Sequence, residues 1–388
     1  MRLVVVSHKE SWVDPKSPSG YATIGGFPFQ MQALSELFDR TALMVPIRSS
    51  ELPPGSRPLV GRNLEVYPLA EPAGADFRRK LDLVVWLPRY LPRIWRVVRQ
   101  ADAVHTPVPG DIGTIGLLVA LLQRKPIFVR HCGTWGSLST LANRFLLWLL
   151  ERIAGGRNVV MATGGADYLP SARNPAIKWI FATTLSEKQI RDIHPAALWQ
   201  PEETLRLITV GRLVPGKKID VVIQALPKIQ EVCPLVSLDI LGEGSQMDEI
   251  CQLSLALGLG EWVNFHGNVP HDEVLMRLWN SHIFVFPTAS EEGFPKVVLE
   301  AMACGLPVVT TAISVLPKLI GNRNGIIIDS SDASQVADAV VNLVSDRERY
   351  AKIAANTRQD SLEYTLERWR ELIKERLEAH WGLLQDQV

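Results

Sequence analysis

Short apolar runs alternate with longer segments of helical periodicity along the whole chain, and that alternation leaves few folds open. Runs apolar on both faces suit strands of a parallel sheet, and parallel strands need crossover helices that cover the sheet on both sides. The first half offers strands at Leu3–Ser7, Ala42–Val45, Leu64–Pro68, Ala103–His105, Ile127–Arg130 and Asn158–Met161, with helices such as Phe27–Phe38 and Ile112–Gln123 between them. The second half offers strands at Leu205–Val210, Ser237–Gly242, Val263–His266, His282–Pro287, Pro307–Thr310 and Gly325–Ile328. Helices at Lys218–Ile229, Gln246–Leu257, His271–Asn280, Lys296–Cys304 and Ala333–Val344 separate these. About six strand–helix units per half are enough for one doubly wound domain each. The expected architecture is therefore α/β, with two Rossmann-like doubly wound domains facing across a cleft.

The expected boundary follows the string His194–Pro201, which has two prolines and no periodicity. This divides the chain into 1–193, 194–365 and a terminal helix over 366–388. That helix presents Leu366, Trp369, Leu372, Ile373 and Leu377, and is expected to pack back on the first domain. With 388 residues, 47% hydrophobic and 21% charged, both halves can bury a core, which excludes a disordered or fibrous chain. The four cysteines form no C-x-x-C pair, as expected for reduced thiols. Met1-Arg2 runs directly into an apolar strand, without the longer apolar region of a secretory leader, and no apolar stretch reaches the roughly 18 residues of a spanning helix. The expected location is the cytoplasm, on or near the inner face of the membrane.

Zero net charge conceals an asymmetry. Residues 1–185 carry 22 Lys and Arg against 13 Asp and Glu, so the remainder carries 19 against 28. The basic half includes residues 78–99, where arginines interleave with Trp86, Tyr90 and Trp95. Such a segment suits peripheral contact with an anionic membrane. No motif supports nucleic-acid binding.

Ligands of open α/β sheets bind beyond the carboxyl ends of the strands. There, residues 282–311 give a strand, a polar loop, Pro295 at a helix start, then Gly305 and Pro307 as a stop. The amides of Lys296, Val297 and Val298 would face a phosphate with the helix dipole behind them. Glu292 and Glu300 flank that point; carboxylates suit the hydroxyls on either side of a diphosphate, one the ribose and one the sugar. Arg212 and Lys217 leave a turn made by Gly211, Pro215 and Gly216, and suit the diphosphate itself.

The run Glu292-Gly293-Phe294-Pro295-Lys296-Val297-Val298-Leu299-Glu300, with Ala-Met-Ala-Cys-Gly after it, resembles the paired-glutamate motif of glycosyltransferase family 4. Val210-Gly211-Arg212-Leu213 with Lys217 resembles that family's basic turn, although Lys218 replaces a glycine. The resemblance covers nearly all of the C-terminal half and only fragments of the N-terminal one. It implies a GT-B fold and a retaining transfer from a nucleotide sugar. It also implies that Glu292 contacts the donor sugar, Glu300 the ribose, and Lys217 the phosphate. By the same resemblance Gly242 lies in a turn beside the nucleotide, Val269 holds the base edge, and Gly25 and Gly26 form a loop near the donor phosphate. His131, favoured over His105, stands near the reacting carbon. The long loop His8–Ile24 is expected to form a lid or a wall on the acceptor side, and Thr163-Gly164-Gly165 to line the cleft.

No D-x-D occurs anywhere, so no metal or other cofactor is expected. The expected donor is a UDP-sugar, with UDP-glucose favoured and GDP-mannose the alternative. The expected acceptor is a saccharide or a lipid-linked saccharide in bacterial surface polysaccharide synthesis. A nucleotide-sugar epimerase, or a non-catalytic sugar-nucleotide-binding protein, is the rival on the same fold.

Overall fold

A computed structural model describes residues 1–74, 76–136, 140–165, 169–181, 184–290 and 293–384. The chain forms two compact units, one of residues up to Thr184 with those from Leu366 on, the other Leu185–Thr365.

The first unit is built on a sheet of ten strands: β1 Arg2–Val6, β2 Ser11–Val13, β3 Tyr21–Thr23, β4 Arg40–Arg48, β5 Arg57–Pro58, β6 Leu64–Ala70, β7 Ala103–Val108, β8 Ile127–Thr134, β9 Asn158–Gly164 and β10 Lys178–Trp179. They lie in the order β10-β9-β8-β7-β1-β4-β2-β3-β5, with β6 also paired to β4. Alternate residues serve two cores, as the two-residue period of a strand requires. Leu3 and Val5 pack with helices α1 (Phe27–Ser35) and α13 (Leu366–Trp381). Val4 and Val6 pack with α2 (Asp76–Gln100), α3 (Asp111–Leu122) and α4 (Leu141–Ile153). Trp369, Ile373 and Leu377 are buried in the first of these cores, and the Arg130 guanidinium lies 5.4 Å from the Trp369 ring centroid.

In place of a plain loop at His8–Ile24, β2 and β3 form an antiparallel ribbon that extends the sheet. Residues 78–99 lie within α2, and Trp86 points inward, donating from Nε1 to the Ala70 carbonyl at 2.7 Å. Among the described residues no helix is long and apolar enough to cross a membrane.

The second unit carries β11 Leu205–Val210, β12 Val236–Leu241, β13 Val263–Gly267, β14 Ile283–Phe286, β15 Val308–Thr311 and β16 Gly325–Ile328. All pair in parallel, in the order β13-β12-β11-β14-β15-β16. The order reverses between β11 and β14, and the loops leaving those two strands meet at the switch point where such sheets bind ligands. Helices α6 (Ile219–Gln230), α7 (Met247–Ala256) and α11 (Ala333–Ser345) cover one large core. Helices α8 (His271–Trp279), α9 (Lys296–Ala303), α10 (Leu316–Leu319) and α12 (Arg347–Ser361) complete the unit.

The boundary falls after Thr184, not after residue 193, and the reason is local. Ser186 and Gln189 form a reciprocal capping box that starts helix α5 (Glu187–Asp192). Leu185 and Ile190 then pack on Ala303, and the Arg358 guanidinium holds the Ile190 carbonyl at 2.8 Å. The proline string lies inside the second unit, where Trp199 is buried.

Candidate functional site

The site grows from four loops at the carboxyl edge of the second sheet. After β11 the chain turns through a single 3-10 turn, Pro215–Lys217, and Lys218 takes a left-handed φ of 56°. This closes the turn without the glycine that the family pattern carries there. Arg212 is exposed on the turn. Lys217 is buried, with Nζ 4.7 Å from the centroid of the Phe286 ring.

That turn is fastened to the loop after β14 by one carbonyl. Gly216 O accepts from Ala289 N at 2.9 Å, Ser290 N at 3.1 Å and Thr288 Oγ1 at 3.2 Å. A Cβ at Gly216 would lie 1.8 Å from Ser290 Oγ, which is why a glycine stands there. The basic turn and the loop feeding α9 are thus one assembly, although about 75 residues separate them in sequence.

Helix α9 starts after Pro295, with Gly293 and Phe294 half-buried ahead of it. Val298 N donates to the Pro295 carbonyl at 3.1 Å, which withdraws Val298 from the three amides expected to meet a phosphate; Lys296 and Val297 occupy the first turn. Glu292 lies outside the described residues. Glu300 is buried in the helix, and its Oε1 stands 3.0 Å from His271 Nε2 at the start of α8. His271 was not visible as a site residue in the sequence. Its partner is 29 positions away, with no spacing signal, and only the neighbouring Val269-Pro270 pair points to its loop.

The loops after β11, β12 and β13 line an open cleft of about 320 Å³, with Arg212, Gly242, Asn268 and Val269 among its walls. The Gly242-Glu243-Gly244 turn has a packing reason. With φ of +131°, Gly242 faces the Gly211 carbonyl, and a Cβ would come within 1.9 Å of that oxygen. A Cβ at Gly244 would come within 2.2 Å of the Leu213 carbonyl, and Leu213 N donates to Glu243 O at 2.9 Å. Backbone therefore lies against backbone, and Arg212 and Val269 reach the same space.

The remaining candidates belong to the first unit. His131, on β8, is buried, with Nδ1 3.1 Å from the Gly133 carbonyl and its ring edge-on to Trp135. Burial lowers its pKa to about 4, so the ring is neutral near pH 7. If Nδ1 carries the proton toward Gly133, Nε2 is the acceptor. The Thr163 hydroxyl donates to the His131 carbonyl at 3.0 Å, so Thr163 supports the histidine. His105 is fully buried, stacked on Phe128, and its pKa is lowered by burial to about 3; it is a core residue. Gly25 is exposed, adopts φ +78° and has no atom within 4 Å of a would-be Cβ, leaving its backbone approachable, whereas Gly26 is buried and caps the start of α1. Among the described residues no group of three or more His, Cys, Asp or Glu side chains is placed to hold a metal.

Comparison with known proteins adds a lineage to this geometry. The family model described as glycosyl transferases group 1 matches residues 190–360, which lie wholly within the second unit. A GDP-mannose-dependent alpha-(1-6)-phosphatidylinositol monomannoside mannosyltransferase of Mycolicibacterium smegmatis is 30% identical over 321 residues, spanning 71% of this chain and 81% of that protein. The Mycobacterium tuberculosis protein of the same description is 28% identical over 237 residues, 57% of this chain and 60% of its own length. The crystal structure of Anabaena Alr3699/HepE in complex with UDP superposes with a TM-score of 0.69 over 98% of this chain and all of that one, at 16% identity. That likeness is one of fold, and the fold is GT-B.

Proposed function

Because the chain belongs to the group 1 glycosyl transferases, we propose that it moves a hexose from a nucleoside-diphosphate sugar to a saccharide or lipid-linked saccharide, with retention of configuration. The observation that carries the reading is the Gly216 junction, which makes the Arg212–Lys217 turn and the approach to α9 a single binding edge.

In this reading the diphosphate lies between Arg212, Lys217 and the first turn of α9. Two cations and a helix N-terminus stabilise the charge that grows on the leaving phosphate as the anomeric bond breaks. This charge balance is our reason for proposing a metal-independent reaction. Glu300, held by His271, receives the ribose hydroxyls, and Glu292 receives the hexose. Gly242 and Val269 bound the space for the base. The acceptor oxygen attacks the anomeric carbon from the face that the diphosphate leaves, and the departing phosphate oxygen takes the acceptor proton. His131, neutral and with Nδ1 backed by the Gly133 carbonyl, offers Nε2 as an acceptor to a substrate hydroxyl without adding charge.

The named relatives weigh toward GDP-mannose as donor, ahead of the UDP-glucose expected from the sequence. A role in bacterial surface glycoconjugate assembly suits either donor. The test is a thermal-shift and turnover screen of GDP-mannose, UDP-glucose, GDP, UDP and ADP, each with and without EDTA. A ligand that binds only the folded state at 100 times its Kd stabilises by about 2.7 kcal/mol. Hexose released or transferred from one of the two sugar nucleotides supports the reading. No stabilisation by any nucleotide refutes it, and conversion of the donor sugar with no acceptor present would favour an epimerase.

A further inference from the structure

Helix α4 has two apolar faces, and the core uses only one of them. Leu146 and Leu150 are buried against the sheet, while Leu141, Phe145 and Trp148 are 81%, 53% and 49% exposed. At 3.6 residues per turn, Leu141, Phe145, Trp148 and Arg152 fall within about 60° of arc on the outward side. The stripe is organised: the Phe145 and Trp148 rings stack at 5.7 Å, and the Arg152 guanidinium lies 5.4 Å from the Trp148 centroid. Arg144, also exposed, borders it.

Charge selects the occupant. Helices α2, α3 and α4 cover the same face of the first sheet and together carry nine Lys or Arg against four Asp or Glu. The acids whose side chains are described are engaged. Asp111 pairs with Arg79 at 2.6 Å, Glu151 accepts from Ser171 at 2.7 Å, and Asp82 accepts from Ala73 N at 2.7 Å. Outward arginines around exposed aromatic and aliphatic side chains match an interface of anionic headgroups over acyl chains. α2 adds Val84 and Val85, both largely exposed, with Arg89 and Arg93 on later turns.

We propose that this face of the first unit, centred on the Leu141–Phe145–Trp148 stripe, rests on an anionic lipid surface. The aromatic pair enters the headgroup layer, and Arg144 and Arg152 pair with lipid phosphates. The inference goes beyond the transfer reaction and is tested without any sugar nucleotide, so its failure would leave the donor site as argued above.

The test is co-sedimentation of the full chain with vesicles of phosphatidylcholine alone and of equimolar phosphatidylcholine and phosphatidylglycerol, at low and high salt. The expected result is partition onto the anionic vesicles only, weakened by salt. Phe145→Ser with Trp148→Ser, and separately Arg144→Glu with Arg152→Glu, are expected to lower that partition by about tenfold or more. Melting temperatures should stay unchanged, since all four side chains are exposed. Equal partition of wild type and both double variants would overturn the proposal, as would equal binding to neutral vesicles. So would a solution dimer lost in the aromatic variant while vesicle binding persists, which would assign the stripe to a second copy of the chain.

Discussion

His271 Nε2 stands 3.0 Å from Glu300 Oε1, joining the loop beside Val269 to the helix that follows Pro295. The imidazole orients the carboxylate that we assign to the ribose. Glu300→Ala is therefore expected to weaken nucleotide binding by roughly tenfold or more, the scale of a hydrogen bond to a charged group. His271→Ala should weaken it less, because the carboxylate remains but is no longer oriented. Titration calorimetry with GDP and UDP reads both. Equal nucleotide affinity in wild type and Glu300→Ala would remove the ribose assignment.

Two glycines are expected to differ in tolerance. At Gly242 a Cβ meets the Gly211 carbonyl at 1.9 Å and the backbone has φ +131°, so Gly242→Ala requires two backbones to part. A loss of about 3 kcal/mol or more is expected in denaturant unfolding. At Gly216 the obstruction is the Ser290 hydroxyl at 1.8 Å, the end of a short side chain. Gly216→Ala should cost about 1 kcal/mol, and much of that should return in the Gly216→Ala/Ser290→Gly double variant. Equal losses at the two glycines, or a double variant no better than the single, would contradict this packing.

These contacts mark how far the sequence could be read. The strand–helix alternation gave both sheets because buried parallel strands impose their own pattern. The helix at Lys296 was legible because Pro295, Gly305 and Pro307 punctuate it locally. The Gly216–Ser290 and His271–Glu300 contacts were not legible, since they join segments distant in the chain whose meeting depends on strand order. The β2–β3 ribbon was missed because three-residue strands have too little periodicity. The domain boundary was misplaced because two prolines outweighed a capping box at Ser186 and Gln189, a weaker pattern that nevertheless commits α5 to the second unit.

Acid should destabilise the protein in a defined window. His131 and His282 are held by burial at about 4, and His105 at about 3, against an ordinary value of 6.5. Their folded pKa values lie below the unfolded ones, so the unfolded chain binds more protons as the pH falls through 6.5. Stability is full above that point and is lost progressively down to about pH 4, where the folded state begins to protonate too. Urea unfolding between pH 7 and pH 4 measures this loss, and His131→Asn should make the slope shallower. A stability flat across that range would show that these rings are not held neutral.

Lys217 sets the last expectation, because its ammonium is buried over the Phe286 ring on the turn that Gly216 locks in place. A fixed cation can stabilise charge that appears during bond cleavage without reorganising, and the effect on rate should exceed the effect on binding. Lys217→Met keeps the aliphatic length and removes the charge. It is expected to lower kcat by about a hundredfold or more while changing the KM for the sugar nucleotide by a few-fold. Arg212→Met, at the exposed end of the same turn, should act in the same direction and more weakly, since solvent screens it. If these cations and the α9 N-terminus carry the leaving charge, EDTA leaves wild-type turnover unchanged, and added Mg²⁺ does not rescue Lys217→Met. Turnover abolished by EDTA and restored by Mg²⁺ would assign that charge to a metal instead.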